Sequence, residues 1–325
     1  MSKSTSSTTN AIEKHLSTKE RIIRDLKKNY KMYLIFIPVF VFFLLFNYLP
    51  MVGVLMAFQD YSIRKGIFGS PWVGLDNFIN LFSDVQAWYA LRNTLCMALL
   101  NLTIGYIIPI FFALCLSQVS IKPVRRVMQS ISYWPNFVAT VVLCTLLTDF
   151  LASNGAITQF FVTVFGMEEQ NMLAINSPVF WFINLFADTW QGTGYAAIVF
   201  VSAIQCVNKD LYEAAAMDGC SRFKCIYKIT LPSIWPTILT MFTLKVGTVF
   251  KTGFDKVLLI YMPSTYEYAD VLTTYVYRYS FVQTDYGLST AVGLLQSLIS
   301  TVLLIISNKL NLMLTKTSLY SGGDL

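Results

Sequence analysis

Four ionisable residues, Lys245, Lys251, Asp255 and Lys256, fall within the otherwise apolar stretch 236–261. Charged side chains are costly in lipid and usually face a water-filled path or a partner. On one continuous α-helix at roughly 100° per residue, Lys245 and Lys256 would point about 20° apart. Lys251 and Asp255, at i and i+4, would pair. Gly247, Thr248, Thr252 and Gly253 keep the surroundings small and polar. One reading is a lysine stripe along a hydrated cavity, donating hydrogen bonds to ligand hydroxyls or to carboxylates of an acidic ligand. The other has Lys251 and Lys256 snorkelling to the outer interface. Upstream, Trp190, Gln191 and Tyr195 stand near Asp188 and Thr193. Aromatic faces stack on flat rings, and neighbouring amides and hydroxyls orient them, although aromatics also collect at membrane interfaces. In "YWPNFVAT", Pro135 and Asn136 suit a kink that frees backbone carbonyls.

Several chemistries are excluded. There is no G-x-x-x-x-G-K-[ST] loop to cradle ATP phosphates, no G-x-S-x-G and no H-E-x-x-H. The single histidine, His15, lies in a polar arm. Cys220 and Cys225 have no histidine neighbours, so no metal site is expected. None of the six cysteines falls in an expected external loop, so no disulfide framework is expected. The chain reads as no enzyme, with no cofactor of its own and no nucleic-acid partner.

The elements that must position these residues are membrane helices. Of 325 residues, 55% are hydrophobic and only 13% charged, about half the charge of a soluble domain. The expected fold is an all-α polytopic membrane protein with six transmembrane helices over 33–56, 90–116, 127–150, 179–205, 236–261 and 286–308. Residues 1–32 form a basic arm, without a cleavage site before the first span. Residues 309–325 form a tail. Of the 24 basic residues, 17 lie in the arm, the loops after spans two and four, and the tail. Because lysine and arginine concentrate on the cytoplasmic side, both termini are expected there. The arm suits anionic membrane lipid. The external loops are aromatic or devoid of basic residues, which suits a partner outside the cell. "DNFINLF" within the first is expected as a short surface helix.

Between spans four and five the chain turns water-soluble. Asn208 is placed to cap a helix over "KDLYEAAAMD", and Gly219 to end it in a left-handed conformation. A second short helix, "SRFKCIYKI", is expected to end at Leu231-Pro232, which redirects the chain into span five. Ala214, Ala215 and Ala216 leave the first helix thin, and Glu213 and Asp218 provide charged handles. The segment 208–232 reads as a docking elbow for a cytoplasmic protein.

The residues Glu213-Ala214-Ala215, then Gly219, then Ile229, then Leu231-Pro232 reproduce the spacing of the EAA loop of bacterial ABC importer permeases. The chain also resembles the MalF-like carbohydrate-uptake permeases in "WVGLDNFINLF" and "LRNTL". It is nearer still to the LplB-type complex-oligosaccharide permeases in "GFDKVLLIYMP", "STAVGL" and "LTKTSLY". Where other sugar permeases carry "TGGGP", it has "IYMPSTYEYAD", which points away from a simple disaccharide. The resemblance implies a type I ABC importer subunit of the bacterial plasma membrane. It implies an ATPase dimer, with its ATP and Mg, seated on Glu213, Ala214, Ala215, Asp218, Gly219, Ile229, Leu231 and Pro232. It further implies a second similar permease and an extracytoplasmic solute-binding protein that delivers an oligosaccharide, complex or acidic. It supports a path along Trp190, Gln191, Tyr195, Lys245, Lys251, Asp255 and Lys256. The residues alone leave two alternatives: an ion- or proton-coupled carrier using Lys251 and Asp255 as a relay, and a scaffold that moves no solute.

Overall fold

Among the residues described by the computed structural model, 18–251 and 253–315, regular structure is helical, with one isolated backbone bridge between Gln59 and Trp72. His15, most of the expected arm, the tail beyond Thr315, Thr252 and the side chain of Lys251 lie outside the described residues. The chain divides into two units, Met1–Leu55 and Met56–Leu325.

In the first unit, α1 (Thr18–Lys28) is basic and is followed by α2 (Tyr30–Phe43). The junction is held by Asp25, whose carboxylate accepts from Asn29 Nδ2 at 2.6 Å and from the Tyr33 hydroxyl at 2.5 Å. The α2 helix is apolar on every side, as suits a helix surrounded by lipid.

The second unit contains α3 (Asp76–Ser83), α4 (Val85–Ser117), α5 (Lys122–Tyr133), α6 (Thr140–Leu151), α7 (Ala156–Phe165) and α8 (Val179–Gln205). It continues with α9 (Lys209–Met217), α10 (Arg222–Gly247), α11 (Phe254–Ile260), α12 (Leu272–Phe281) and α13 (Tyr286–Thr315). A short helix, α3, forms at "DNFINLF" as expected. Asp84 begins α4 by accepting from Gln86 N at 2.9 Å. Long contacts run between α4 and α8 and between α10 and α13. Apolar attraction does little between helices in lipid, so close fit and hydrogen bonds must hold them together. The buried residues fit that need, with Ala90, Ala113, Ala187, Ala197 and Ala291 each at 0–1% exposure.

Among the described residues, five helical stretches are long and apolar enough to cross a membrane: Tyr30–Phe58, Val85–Ser117, Thr140–Phe165, Arg222–Gly247 and Tyr286–Thr315. The α8 helix has 27 residues, long enough to cross, but Asn184, Asp188, Thr189, Gln191 and Thr193 make it more polar.

Two stretches that hydropathy reads as single spans are broken. In 127–150, α5 ends at Tyr133, a 3-10 turn covers Trp134–Phe137, and α6 restarts at Thr140. Pro135 has no N–H and its ring crowds the preceding turn, which disfavours a continuous helix here. The freed carbonyl of Val138 is taken by Gln191 Nε2 at 2.8 Å. Gly194, one turn along α8, permits the approach: a Cβ there would meet Ser132 O at 1.9 Å.

In 236–261, α10 stops at Gly247, a 3-10 turn spans Val249–Lys251, and α11 begins after Gly253. Here Gln296 Nε2 donates to Phe250 O at 2.5 Å. Lys245 and Lys256 therefore do not share a helix, and the expected 20° stripe does not exist. The start of this stretch also differs. The "SRFKCIYKI" segment is not a separate short helix, because α10 runs from Arg222 through a π turn at Ile226–Thr230 into the span. The wider turn changes register just before Leu231-Pro232, so the proline sits where its missing N–H costs nothing and the chain is not redirected.

Candidate functional site

Three helices converge on Asp188. From α11, Lys256 Nζ reaches Asp188 Oδ1 at 2.5 Å. From α4, Asn101 Nδ2 donates to Oδ2 at 2.9 Å, and from one turn back on α8, Asn184 Nδ2 does so at 3.4 Å. The two charged side chains are only 11% and 18% exposed. Burying such a pair is tolerable only when hydrogen bonds complete it, as the two asparagines do here. The break in the helix makes the pair possible, since only after the turn at 249–251 does Lys256 come round to α8.

Beside this pair lies a cavity of about 250 Å³ lined by Asn101, Gly105, Tyr106, Asp188, Gly192, Thr193 and Lys245 among others. Tyr106 is anchored by its hydroxyl on Ile238 O at 2.5 Å and by edge contacts with Phe200 and Phe242. Lys245 Nζ rests 5.7 Å from the centre of the Tyr106 ring. Among the described residues Lys245 forms no ion pair, because the one carboxylate of the cavity is bound to Lys256. The cavity thus has an excess positive charge on a lysine over an aromatic face, with amides and hydroxyls around it. Such a lining can hydrogen-bond hydroxyl-rich rings and hold a carboxylate.

The expected site residues divide. Lys245 lines the cavity and Lys256 borders it through Asp188. Gln191 spends its amide on the Val138 carbonyl. Trp190 and Tyr195, 44% and 59% exposed, stand on other faces of α8 outside the cavity lining. Asp255 is exposed on α11, and its expected partner Lys251 has a side chain outside the described residues. Asn101, Tyr106 and Asn184 belong to the site although each looked like ordinary span sequence. The polar asparagines were the available signal.

A second polar centre caps the other end, in the segment that carries the departure "YEYAD". Arg278 pairs with Asp270 at 2.7 Å, both nearly buried, and Thr274 Oγ1 donates to the same carboxylate at 2.7 Å. Asn93 Nδ2 reaches Asp270 O at 2.9 Å. The hydroxyls of Tyr275 and Tyr279 donate to Asp84 at 2.6 and 2.9 Å. Burial works against ionisation of Asp84, but hydrogen bonds from Tyr275, Gln86 N and Tyr279, with the charge of Arg278, hold its carboxyl below the usual value.

The elbow is built much as its residues dictate. Asn208 Oδ1 accepts from Asp210 N at 3.0 Å. Gly219 has φ +72°, with Gly219 N on Ala216 O at 3.1 Å and Cys220 N on Ala215 O at 2.9 Å. This paired closure is a Schellman motif. Tyr212 and Thr230 share a hydroxyl hydrogen bond at 2.8 Å, tying α9 to the root of α10. The outer surface presents Met217, Phe223 and Tyr227 at 90%, 86% and 74% exposure.

Residues 105–314 match the family of binding-protein-dependent transport system inner membrane components. The chain belongs to that family. The polygalacturonan/rhamnogalacturonan transport system permease YteP of Bacillus subtilis (strain 168) is 36% identical over 292 residues, 90% of each chain. LplB of the same organism is 36% identical over 286 residues, 87% of this chain and 89% of that one. In the crystal structure of a bacterial ABC transporter that imports the acidic polysaccharide alginate, one chain superposes with a TM-score of 0.82. It is 33% identical, covering 91% of this chain and 99% of that chain. A bacterial alginate ABC transporter in complex with an alginate pentasaccharide-bound periplasmic protein matches equally, with a TM-score of 0.82 and 33% identity over 92% of this chain and 99% of that chain. This permease is therefore a multi-pass protein of the bacterial plasma membrane with the type I ABC importer fold. Its relatives support ATP-driven import over a carrier working alone.

Proposed function

We propose that this permease is one of two membrane subunits of an ABC importer for an acidic oligosaccharide, paired with a second, similar permease. Residues 33–308 would cross the membrane six times, with α5 and α6 forming two halves of one broken span and both termini in the cytoplasm. The segment 208–232 would seat the ATPase, which binds and hydrolyses ATP with Mg, while this chain holds no cofactor. An extracytoplasmic binding protein would deliver the solute to the loops capped by Asp270 and Arg278.

The observation that carries the substrate class is the unmatched Lys245 in the cavity beside the Asp188–Lys256 pair. A lone cation in a low-dielectric span is stabilised by a carboxylate that arrives with the solute, as a uronate residue brings. Two relatives whose substrates are polygalacturonan or alginate favour the same reading.

The test is uptake by the assembled transporter in vesicles, comparing oligouronates with neutral oligosaccharides of equal length. ATP-dependent uptake of the acidic series is expected. Uptake of neutral sugars alone would overturn the acidic reading. Uptake without ATP but abolished by an uncoupler would overturn the ABC mechanism.

A further inference from the structure

At the root of the elbow lies a second cavity, about 660 Å³, that shares no lining residue with the one beside Asp188. It opens where α4 and α8 end, at Ser117 and Gln205, and where α5 and α9 begin. Lys122, Arg125 and Lys209 line it, and none of its lining residues is acidic. Among the described residues these three cations form no ion pair, and Arg125 is half-buried. The first turn of α5 has no side-chain cap, so its free N–H groups add to the positive field. Topology alone explains basic residues on this side of the membrane. It does not explain three of them around one cleft with no counter-charge.

We infer that this cleft binds a phosphate group, supplied by the headgroup of an anionic phospholipid. The chemistry is that of the basic pockets which hold anionic headgroups between membrane helices on the cytoplasmic side. The lipid source is favoured by α5 itself, where Val124, Val127, Met128 and Ile131 are 44–56% exposed and form, at i, i+3, i+4 and i+7, an apolar face on the same helix as Lys122 and Arg125, available to acyl chains. A bound headgroup would tie Arg125 on α5 to Lys209 at the start of α9, beside the Tyr212–Thr230 bond. It would brace the elbow against the span. The inference rests on the cytoplasmic placement of the elbow argued above.

The experiment is native mass spectrometry of the transporter purified with its partner subunits from membranes containing phosphatidylglycerol. The wild type is compared with Lys122→Gln/Arg125→Gln. The wild type is expected to retain phosphatidylglycerol, and the double variant to lose affinity for it by roughly 30-fold, as removal of two near-surface charges implies. Arg126→Gln, a neighbour outside the cleft lining, should retain the lipid, which separates loss of the site from loss of folding or of general charge. Equal retention in wild type and double variant would overturn the inference. So would retention by the permeases alone that disappears when the ATPase is bound, since the ATPase would then fill the cleft. In a delipidated sample, saturation by millimolar inorganic phosphate with no preference for phosphatidylglycerol would overturn the lipid source. If ATPase activity in nanodiscs rises on replacing phosphatidylcholine by phosphatidylglycerol in wild type and Arg126→Gln but not in the double variant, the brace is supported. A rise in all three would overturn that role. Failure of oligouronate uptake in the preceding experiment would leave these lipid readouts unaffected.

Discussion

Lys256 reaches Asp188 at 2.5 Å from a helix that begins only after the chain of span five has broken and turned. The pair fastens α11 to α8 and commits the one carboxylate of the cavity to a short contact with Lys256 rather than Lys245. Both lysines thus owe their roles to a single aspartate.

Breaking that pair from one side should be costly. Asp188→Asn leaves Lys256 charged and buried, and a loss of about 3–5 kcal/mol is expected. Lys256→Met with Asp188→Leu should be milder, because no lone charge remains. Thermal unfolding in detergent of Asp188→Leu, Lys256→Met and their double variant, beside Asp188→Asn, checks this. Additive losses would show that the two side chains are not coupled.

Lys245→Met should lower uptake of an oligouronate about ten- to a hundredfold, the worth of one charge-assisted hydrogen bond. Neutral oligosaccharide uptake should change little, and Lys245→Arg should retain much of the acidic preference. Equal losses for both substrate classes would make Lys245 a packing residue.

Gly194→Ala should fail by collision. Its Cβ would lie 1.9 Å from the Ser132 carbonyl oxygen, a backbone atom that cannot swing aside. Separation of α8 from the α5 break would also release Gln191 from Val138 O. Reduced yield of folded protein, measured by size-exclusion chromatography, is expected, whereas Gly192→Ala, with open space around its Cβ site, should be tolerated.

At the elbow, Gly219→Asp should uncouple the transporter. The position is left-handed, so any side chain strains it, and a carboxylate would also alter the docking face. ATP hydrolysis per solute imported should rise or transport should cease, as measured in proteoliposomes. Normal coupling would sink the proposed role of α9.

Acid should weaken the polar centre around Asp84. The folded pKa of Asp84 is depressed, so its contribution is present above the unfolded value and is lost as pH falls through the folded one. Thermal stability should drop as pH falls from about 5 through the ordinary carboxylate value near 4 and below it, and Asp84→Asn should start lower and show less of that drop.

Local chemistry settled much of this protein. Alternation of apolar runs with basic loops specified a helical membrane protein, and the elbow followed from Asn208 and Gly219 because caps and left-handed glycines act within a few residues. The EAA spacing carried the family for the same reason. Hydropathy could not locate the breaks in 127–150 and 236–261. A broken helix buries the same apolar residues as a straight one, and it survives only because Gln191 and Gln296 arrive from distant helices to take the freed carbonyls. The lysines were legible as costly residues that needed a partner. That Lys256 would find it on α8, 68 positions away in sequence, leaving Lys245 over the ring of Tyr106, depended on tertiary packing. A charge in lipid announces its need in the sequence, but what satisfies it is decided in three dimensions.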